Sequence, residues 1–302
     1  MEFTRPVGRY GPMVSGFESG TPVLEGLAGL PFDVQRATHA GCWSWVKTDG
    51  LLLAAATVPV QSGGLAEVTT NIYRELFPLV SGFSLYRIWH FLPEINGIVE
   101  GLENYRAFCL GRHEAFFECF GEDAPRRMPA ASAVGNDSDH LVIWALAGPT
   151  APSYLENETQ VPAYRYPGLY GPKPPSFARA TLVSDAGKKR LFVSGTSSIL
   201  GHETIAPGDV LEQTRVTISN LRSIIEKPGF SLDALADGHV TVYLRNAADL
   251  PSVRSLLARS LGEQTTRQAT FLRADICRRE LEVEIECQLG CSNRRTKAPV
   301  KS

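Results

Sequence analysis

Several residues in this chain stand where ordinary packing would not put them. The segment 102–120 reads as a helix with an apolar stripe at Tyr105, Phe108, Cys109, Phe116 and Cys119/Phe120, and Arg112 falls on that stripe. A guanidinium keeps its proton, so burying one calls for a carboxylate, from the protein or from a ligand. Arg112 is therefore either half of a structural ion pair, a side chain reaching out from the stripe's edge, or an anion site with the Tyr105 hydroxyl beside it. The run from Tyr164 to Lys173 holds Arg165, Tyr166 and Tyr170 among Pro167, Gly168, Gly171 and Pro172, and leads into Phe177-Ala178-Arg179-Ala180. Proline and glycine stop helix here, leaving either a Tyr-rich surface loop or a rigid loop that presents donors to a small polyoxygenated anion.

The last strand candidate alternates strictly. Leu281, Val283, Ile285, Cys287 and Leu289 face one way, and Glu282, Glu284, Glu286 and Gln288 face the other. One reading is a half-exposed strand with a solvated acidic face. The other points Glu284 into a pocket, where desolvation and acidic neighbours raise its pKa and make it a proton donor near neutral pH. Cys277, at the entry to this strand, is either packing or chemistry. The stretch Ser194 to Glu203, which includes Ser197, ends a strand in small residues that let a ligand approach the backbone.

Other chemistries lack their signatures. There is no nucleophile elbow, Walker loop or dinucleotide fingerprint, and neither the six histidines nor the six cysteines show metal-ligand spacing. No metal and no cofactor are expected. Scattered cysteines without a CxxC pair suit reduced thiols in a cytoplasmic protein. With 30 basic against 32 acidic residues, net charge −2, nucleic acid is not an expected partner. The only basic cluster, Arg294, Arg295, Lys297 and Lys301, reads as a solvated, disordered tail over 291–302. The N-terminus shows no signal-peptide pattern, and the longest apolar run, Leu51 to Val60, is ten residues, half a membrane span. No membrane association is expected.

The elements that must position these residues come in two similar sets. The first set predicts strands at 43–46 and 51–60, a helix at 64–80 with Val68, Ile72, Leu76 and Leu79 on one face, a strand at 85–92, the 102–120 helix and a strand at 141–147. In the second, strands at 177–184 and 190–194 flank the turn Asp185-Ala186-Gly187. A helix at 210–226 follows with Val216, Ser219 and Ile224 inward, then a strand at 240–245, a helix at 247–261 and a strand at 279–289. Val68 to Arg74 resembles Val216 to Arg222, and Gly82-Phe83-Ser84 matches Gly229-Phe230-Ser231. The expectation is an α+β fold of two tandem β-β-α-β-α-β halves, with mixed sheets and helices on one face of each. The divisions expected are 1–148, a Tyr/Pro-rich substrate-binding linker at 149–176, a catalytic half at 177–290, and the tail. A linker that long suggests a working segment.

Five runs, in order, resemble one enzyme family. They are Ile88-Trp89-His90-Phe91-Leu92-Pro93-Glu94-Ile95-Asn96, the run Gly101 to Arg112, Tyr166 to Arg179 with its Tyr-Gly-Pro-Lys core, Ser194-Gly195-Thr196 through Glu203, and Cys277 to Glu286. Jointly they are similar to the chorismatases, which remove the enolpyruvyl group of chorismate as pyruvate. The resemblance implies a YjgF-like α+β fold. It implies that Tyr105 and Arg112 hold one end of the substrate, and Tyr166 or Tyr170 with Arg179 the other. Glu284 falls on the family's catalytic glutamate, which protonates the enol-ether methylene and then stabilises the oxocarbenium ion.

The family divides by what captures that cation. Water gives a trans-dihydrodiol; the substrate's own hydroxyl gives 3-hydroxybenzoate, with 4-hydroxybenzoate as a second product in a bifunctional relative. Cys277 matches the cysteine of the aromatising branches, whereas Ser197 stands where the family carries Gly or Ala, and Gly168-Leu169 replaces a more basic loop. The leading expectation is a cofactor-free chorismatase of the hydroxybenzoate type, acting on free chorismate as a monomer or small homo-oligomer. Hydrolysis to the dihydrodiol is the alternative. A non-catalytic YjgF-like binding module is the second; it would not need Glu284, Arg112 and Arg179 together.

Overall fold

The computed structural model describes residues 37–48, 50–60 and 64–290, together with Val23, Leu27, Leu30 and Phe32. The expected tail at 291–302 and the turn residue Asp49 lie outside the described residues. Strands β1 (Thr38–Ala40), β2 (Trp43–Thr48) and β3 (Leu51–Pro59) lead to helix α1 (Leu65–Leu79) and strand β4 (Ser84–Pro93). A small hairpin, β5 (Ile98–Val99) with β6 (Leu102–Glu103), precedes helix α2 (Asn104–Phe120), and β7 (Ala130–Asn136) and β8 (His140–Gly148) close the set. After β9 (Ser153–Leu155) come β10 (Ala180–Asp185), β11 (Lys188–Ser197), the hairpin β12 (Ile199–Leu200) with β13 (Glu203–Thr204), and helix α3 (Val210–Glu226). Strand β14 (His239–Leu244), helices α4 (Leu250–Leu261) and α5 (Glu263–Gln268), and strands β15 (Thr270–Arg273) and β16 (Val283–Leu289) complete the chain.

The two sheets repeat each other in space as well as in order. One runs β1-β2-β3-β8-β4-β7 and the other β15-β14-β16-β11-β10-β9. Strands β2, β3, β8, β4 and β7 thus correspond to β10, β11, β16, β14 and β15. In both sheets the last two of these pair in parallel while the other ladders are antiparallel. Each half therefore reads β-β-α-β-α-β-β, one strand more than the sequence pattern. Besides the three-residue β1 and β9 and the two small hairpins, the strands that were missed are β7 and β15, an Ala/Ser/Gly run and a four-residue segment. Neither carries the β-branched alternation that marks a strand by pattern.

Alternate residues of each sheet go to different cores. Leu52, Ala54 and Ala56 of β3 pack under α1 and α2, while Leu51, Leu53 and Ala55 turn to the opposite face. There they join Tyr86, Trp89, Phe91 and Trp144, and across the seam Val183, Phe192, Tyr243 and Leu272 of the second sheet. The molecule is thus layered helix, sheet, sheet, helix. Sheets covered on both faces explain the unbroken apolar run of β3. Each large side chain fully buried at the seam contributes roughly 1.5–3 kcal/mol.

Two helix faces differ from the expected ones. Helix α1 buries Thr69, Ile72, Tyr73, Leu76 and Phe77, leaving Val68 and Leu79 half-buried. Helix α3 buries Gln213, Thr217 and Asn220 beside Ile224, and Ser219 is exposed. Its inward amides are occupied: Asn220 Nδ2 donates to the Ser197 and Ile199 carbonyls at 3.1 and 2.9 Å. Gln213 Nε2 donates to the Glu280 carbonyl at 2.7 Å. Hydropathy cannot find a face that is buried by hydrogen bonding. Cys119, expected on the α2 stripe, is exposed at the helix end.

Candidate active site

Helix α2 carries Arg112 and lies close against α1. A Cβ at Gly111 would fall 2.0 Å from the Ala66 carbonyl oxygen, so only glycine permits the crossing. Arg112 is 3 % exposed, and its Nε and Nη2 are buried without a hydrogen-bond partner in the protein. Its guanidinium carbon sits 5.6 Å from the Tyr73 ring centre and 5.5 Å from that of Phe116. No carboxylate among the described residues pairs with it. The structural ion pair is thereby set aside, and a cation with two unanswered donors is what an incoming carboxylate binds.

The second cation comes from the approach to β10. Arg179 is 5 % exposed and donates through Nη2 to the Tyr166 hydroxyl at 2.7 Å and the Val161 carbonyl at 3.1 Å, leaving Nε without a partner. The loop that carries Tyr166 and Tyr170 is two short 3-10 turns, Ala163–Arg165 and Gly168–Tyr170, each broken by the prolines and glycines that ended helix in the sequence. Tyr170 shares a 3.1 Å hydrogen bond with His202 Nδ1, and the Arg278 guanidinium lies 4.0 Å from the Tyr170 ring centre. Arg278 is itself held by the His202 carbonyl and Thr204 Oγ1 at 2.9 and 3.1 Å.

Glu284 stands between the two cations. The polar face of β16 is not solvated: Glu284, Glu286 and Gln288 are 3, 4 and 3 % exposed, turned against the other half of the chain. Glu282 lies before the strand and is half-buried. Glu284 Oε2 accepts a long 3.4 Å hydrogen bond from Ser197 Oγ, and Oε1 is buried with no partner. Desolvation, reinforced by the Glu286 carboxylate, pushes Glu284 up to about 8, against the pull of Arg87 and the Ser197 hydroxyl. Such a group is a neutral acid at pH 7. Burial also pushes the Tyr105 hydroxyl and the Cys277 thiol well above their usual values, so both are neutral neighbours.

These residues line two adjoining chambers that share Tyr105, Cys277 and Glu284. The inner chamber, about 30 Å³, is walled by Arg112, Ser132, Tyr105, Cys277 and Glu284. It has room for about two water-sized groups, which is the size of a carboxylate's oxygens. The outer chamber, about 500 Å³, is walled by Tyr166, Tyr170, Arg179, Ser197 and Arg278. All eight residues singled out from the sequence thus meet at one place. A larger cavity of about 700 Å³ beside the start of α2 is lined by Glu94, Glu100, Asp137, Asp139 and Asp275. Five carboxylates repel an anion, so charge rather than size picks the site.

Sequence reasoning missed Arg87, Ser132, Gly195 and Arg278. Arg87 carried the same signal as Arg112, a guanidinium inside the apolar run 84–93, and is fully buried against Glu286 at 2.7 Å. Gly195 lay in the small-residue stretch 194–203, but its contact with Glu284 was not legible, and Ser132 carried no signal, because both roles depend on the two halves meeting.

The family described as "Chorismatase FkbO/Hyg5-like, N-terminal" matches residues 32–147. A 3-hydroxybenzoate synthase of Streptomyces hygroscopicus is 36 % identical over 248 residues, 77 % of this chain and 72 % of that one. A chorismatase of Streptomyces rapamycinicus is 36 % identical over 266 residues, covering 83 % and 78 %. A chorismatase crystal structure superposes with a TM-score of 0.77 at 34 % identity, over 84 % of this chain and 78 % of that one.

Proposed function

The chain belongs to the chorismatase family, and from that premise we propose that it converts chorismate to pyruvate and 3-hydroxybenzoate, with Glu284 as the acid. One observation carries the assignment of roles: a buried carboxyl with a free oxygen lies between two buried arginines that lack carboxylate partners. Chorismate presents two carboxylates, one on the ring and one on the enolpyruvyl group. Arg112 with Tyr105 suits one, and Arg179 with Tyr166 and Tyr170 suits the other. Glu284 then lies against the enol ether, where it passes its proton to the methylene carbon. The carboxylate left behind stabilises the oxocarbenium ion.

The atoms of chorismate equal those of the two products, so aromatisation consumes neither water nor an electron carrier. Hydrolysis to the dihydrodiol consumes one water. The branch therefore depends on whether the ring hydroxyl or a water is nearer the reacting carbon, and wall shape decides that. Cys277 and Ser197 both line the wall. Incubation with chorismate, followed by chromatography of ring products against a pyruvate assay, tests the reading. Expected from the wild type are pyruvate and 3-hydroxybenzoate, 4-hydroxybenzoate marking a bifunctional enzyme. Cys277→Val is expected to shift product toward the dihydrodiol while total pyruvate falls less; an unchanged ratio would make Cys277 a packing residue. Dihydrodiol alone from the wild type would overturn the branch, and no pyruvate would overturn the enzyme.

The same reading takes 1–148 and 177–290 as duplicated halves joined by the substrate-binding segment 149–176. It places the enzyme in the cytoplasm, as a monomer or small homo-oligomer acting on a free small molecule and not on nucleic acid. Free thiols at Cys42, Cys109, Cys119, Cys277 and Cys287 support a reducing compartment. No helix among the described residues is long and apolar enough to cross a membrane.

A further inference from the structure

The ladder between β11 and β16 slips by one residue beside Glu284. Val193 pairs with Cys287 and Thr196 with Ile285, so Ser194 and Gly195 together face Glu286 alone. At such a bulge the backbone leaves the ladder and can re-aim its neighbours. The Gly195 N–H leaves it for Ser132 Oγ at 2.9 Å, on β7 in the other half of the chain. That hydroxyl also accepts from Arg87 Nη2 and donates to Glu286 Oε2. One donor and two acceptor sites are all a serine hydroxyl has, so Ser132 is saturated and its direction fixed.

Glu286 is pinned in turn by Arg87 Nη2 at 2.7 Å and Trp89 Nε1 at 3.0 Å. Arg87, Ser132 and Glu286 are each at most 4 % exposed. A Cβ on Gly195 would fall 2.0 Å from Glu284 Oε1 and 3.0 Å from Ser132 Oγ, so the Glu284 carboxyl rests directly on this glycine. We propose that Ser132, anchored by the buried Arg87–Glu286 pair, is a positioning residue that fixes the β11 bulge and thereby aims the Glu284 carboxyl. The proposal rests on the reading of Glu284 as the acid of a chorismatase.

The same contacts also set the charge around the acid. The groups facing Glu284 are Arg87 from β4, Ser132 from β7, Gly195 and Ser197 from β11, Tyr243 from β14 and Glu286 from β16, with Tyr105 and Cys277 across the cavity. Arg87 and Glu286 are the charged groups packed against Glu284, and they offset one another, while Arg112 in the inner chamber and Arg179 and Arg278 in the outer one face it across the cavity. Removing the Glu286 charge alone leaves a guanidinium facing Glu284, which favours its ionised form.

The test uses Ser132→Ala and Glu286→Gln in the full chain. It reads steady-state kinetics on chorismate across pH, together with the Glu284 carboxyl titration by ¹³C-glutamate NMR, assigned against Glu284→Gln. Ser132→Ala is expected to lower kcat by about 10- to 100-fold, the scale of a misplaced reacting group, with KM within about 3-fold. Glu286→Gln is expected to lower the Glu284 midpoint and the alkaline limb of kcat/KM by about one pH unit or more. A Ser132→Ala kcat within about 2-fold of wild type overturns the positioning role. An unmoved Glu284 midpoint in Glu286→Gln overturns the charge role, and if that variant fails to fold, Ser132→Ala decides alone. If the wild type releases no pyruvate, the functional reading fails. The Glu284 titration still decides the network: an altered midpoint in either variant supports it, and unaltered midpoints in both overturn it.

Discussion

Glu284 meets opposite demands from catalysis and from folding, and pH separates them. As an acid it must hold its proton, so kcat/KM is expected to be level below about pH 8 and to fall above it. Glu284→Gln keeps the shape without the proton, and pyruvate release should drop by roughly 10²–10⁴-fold. In folding the sign is reversed. The native pKa is raised from 4.5 to about 8, so across that window the unfolded chain has lost a proton that the native state still binds. Stability therefore declines as pH rises through the window, at a limiting slope of roughly 1.4 kcal/mol for each pH unit. Glu284→Gln escapes that decline. Its melting temperature should gain on wild type between pH 5 and pH 8, and a constant gap by scanning fluorimetry would refute the buried proton. The two arginines should divide in a related way. Arg112 has no carboxylate partner in the protein to lose, so Arg112→Ala should cost about 2–5 kcal/mol in binding a dicarboxylate analogue, with little change in the unliganded melt. Arg179→Ala should weaken binding similarly and also lower the melt, because Tyr166 and Val161 lose their donor. An Arg112 variant that melts early yet binds normally would make that residue structural.

At the scale of elements, the sequence was informative wherever apolar period decided the outcome. Helix α3 runs from Val210 to Glu226 as expected, and the turn at Ala186-Gly187 has the positive φ values a two-residue hairpin demands. It was uninformative wherever hydrogen bonds or the second sheet decided. The inward face of α3 is polar because Gln213 and Asn220 tie down the strand ends beside the site, and β7 is a strand because a neighbour pairs with it. The acidic face of β16 could be read as solvent-facing or buried until its partner sheet was in view. The binding loop illustrates the same limit. Tyr166 and Tyr170 were visible in the sequence, but the residue that braces them, Arg278, was not singled out. A cation over two rings contributes about 0.5–2 kcal/mol, and here it fixes the wall of the outer chamber. Arg278→Ala should therefore raise KM for chorismate by roughly 2- to 30-fold and change kcat less. Steady-state kinetics check this; a loss confined to kcat would place Arg278 at the chemistry instead.

At the scale of the whole molecule, the two halves form one cooperative unit, because neither sheet is complete as a surface without the other. The seam face of the first sheet presents Tyr86, Trp89, Phe91 and Trp144, each at most 2 % exposed in the intact chain. Exposing four such side chains at roughly 1.5–3 kcal/mol apiece costs about as much as the 5–15 kcal/mol that stabilises a typical domain. Separation would also break the buried Arg87–Glu286 pair, leaving each ion on a newly exposed face. The active site is divided in the same way, since Arg112 and Ser132 come from the first half and Glu284 and Gly195 from the second. The full chain should accordingly unfold in a single transition, with calorimetric and van't Hoff enthalpies in a ratio near one. Expressed alone, residues 1–148 should bind a hydrophobic dye and show no cooperative melt. Two resolved transitions in the full chain, or a sharp melt of the isolated half, would show that the halves are independent domains. In that case the Arg87–Glu286 contact would only join two finished structures, and would contribute nothing to forming either.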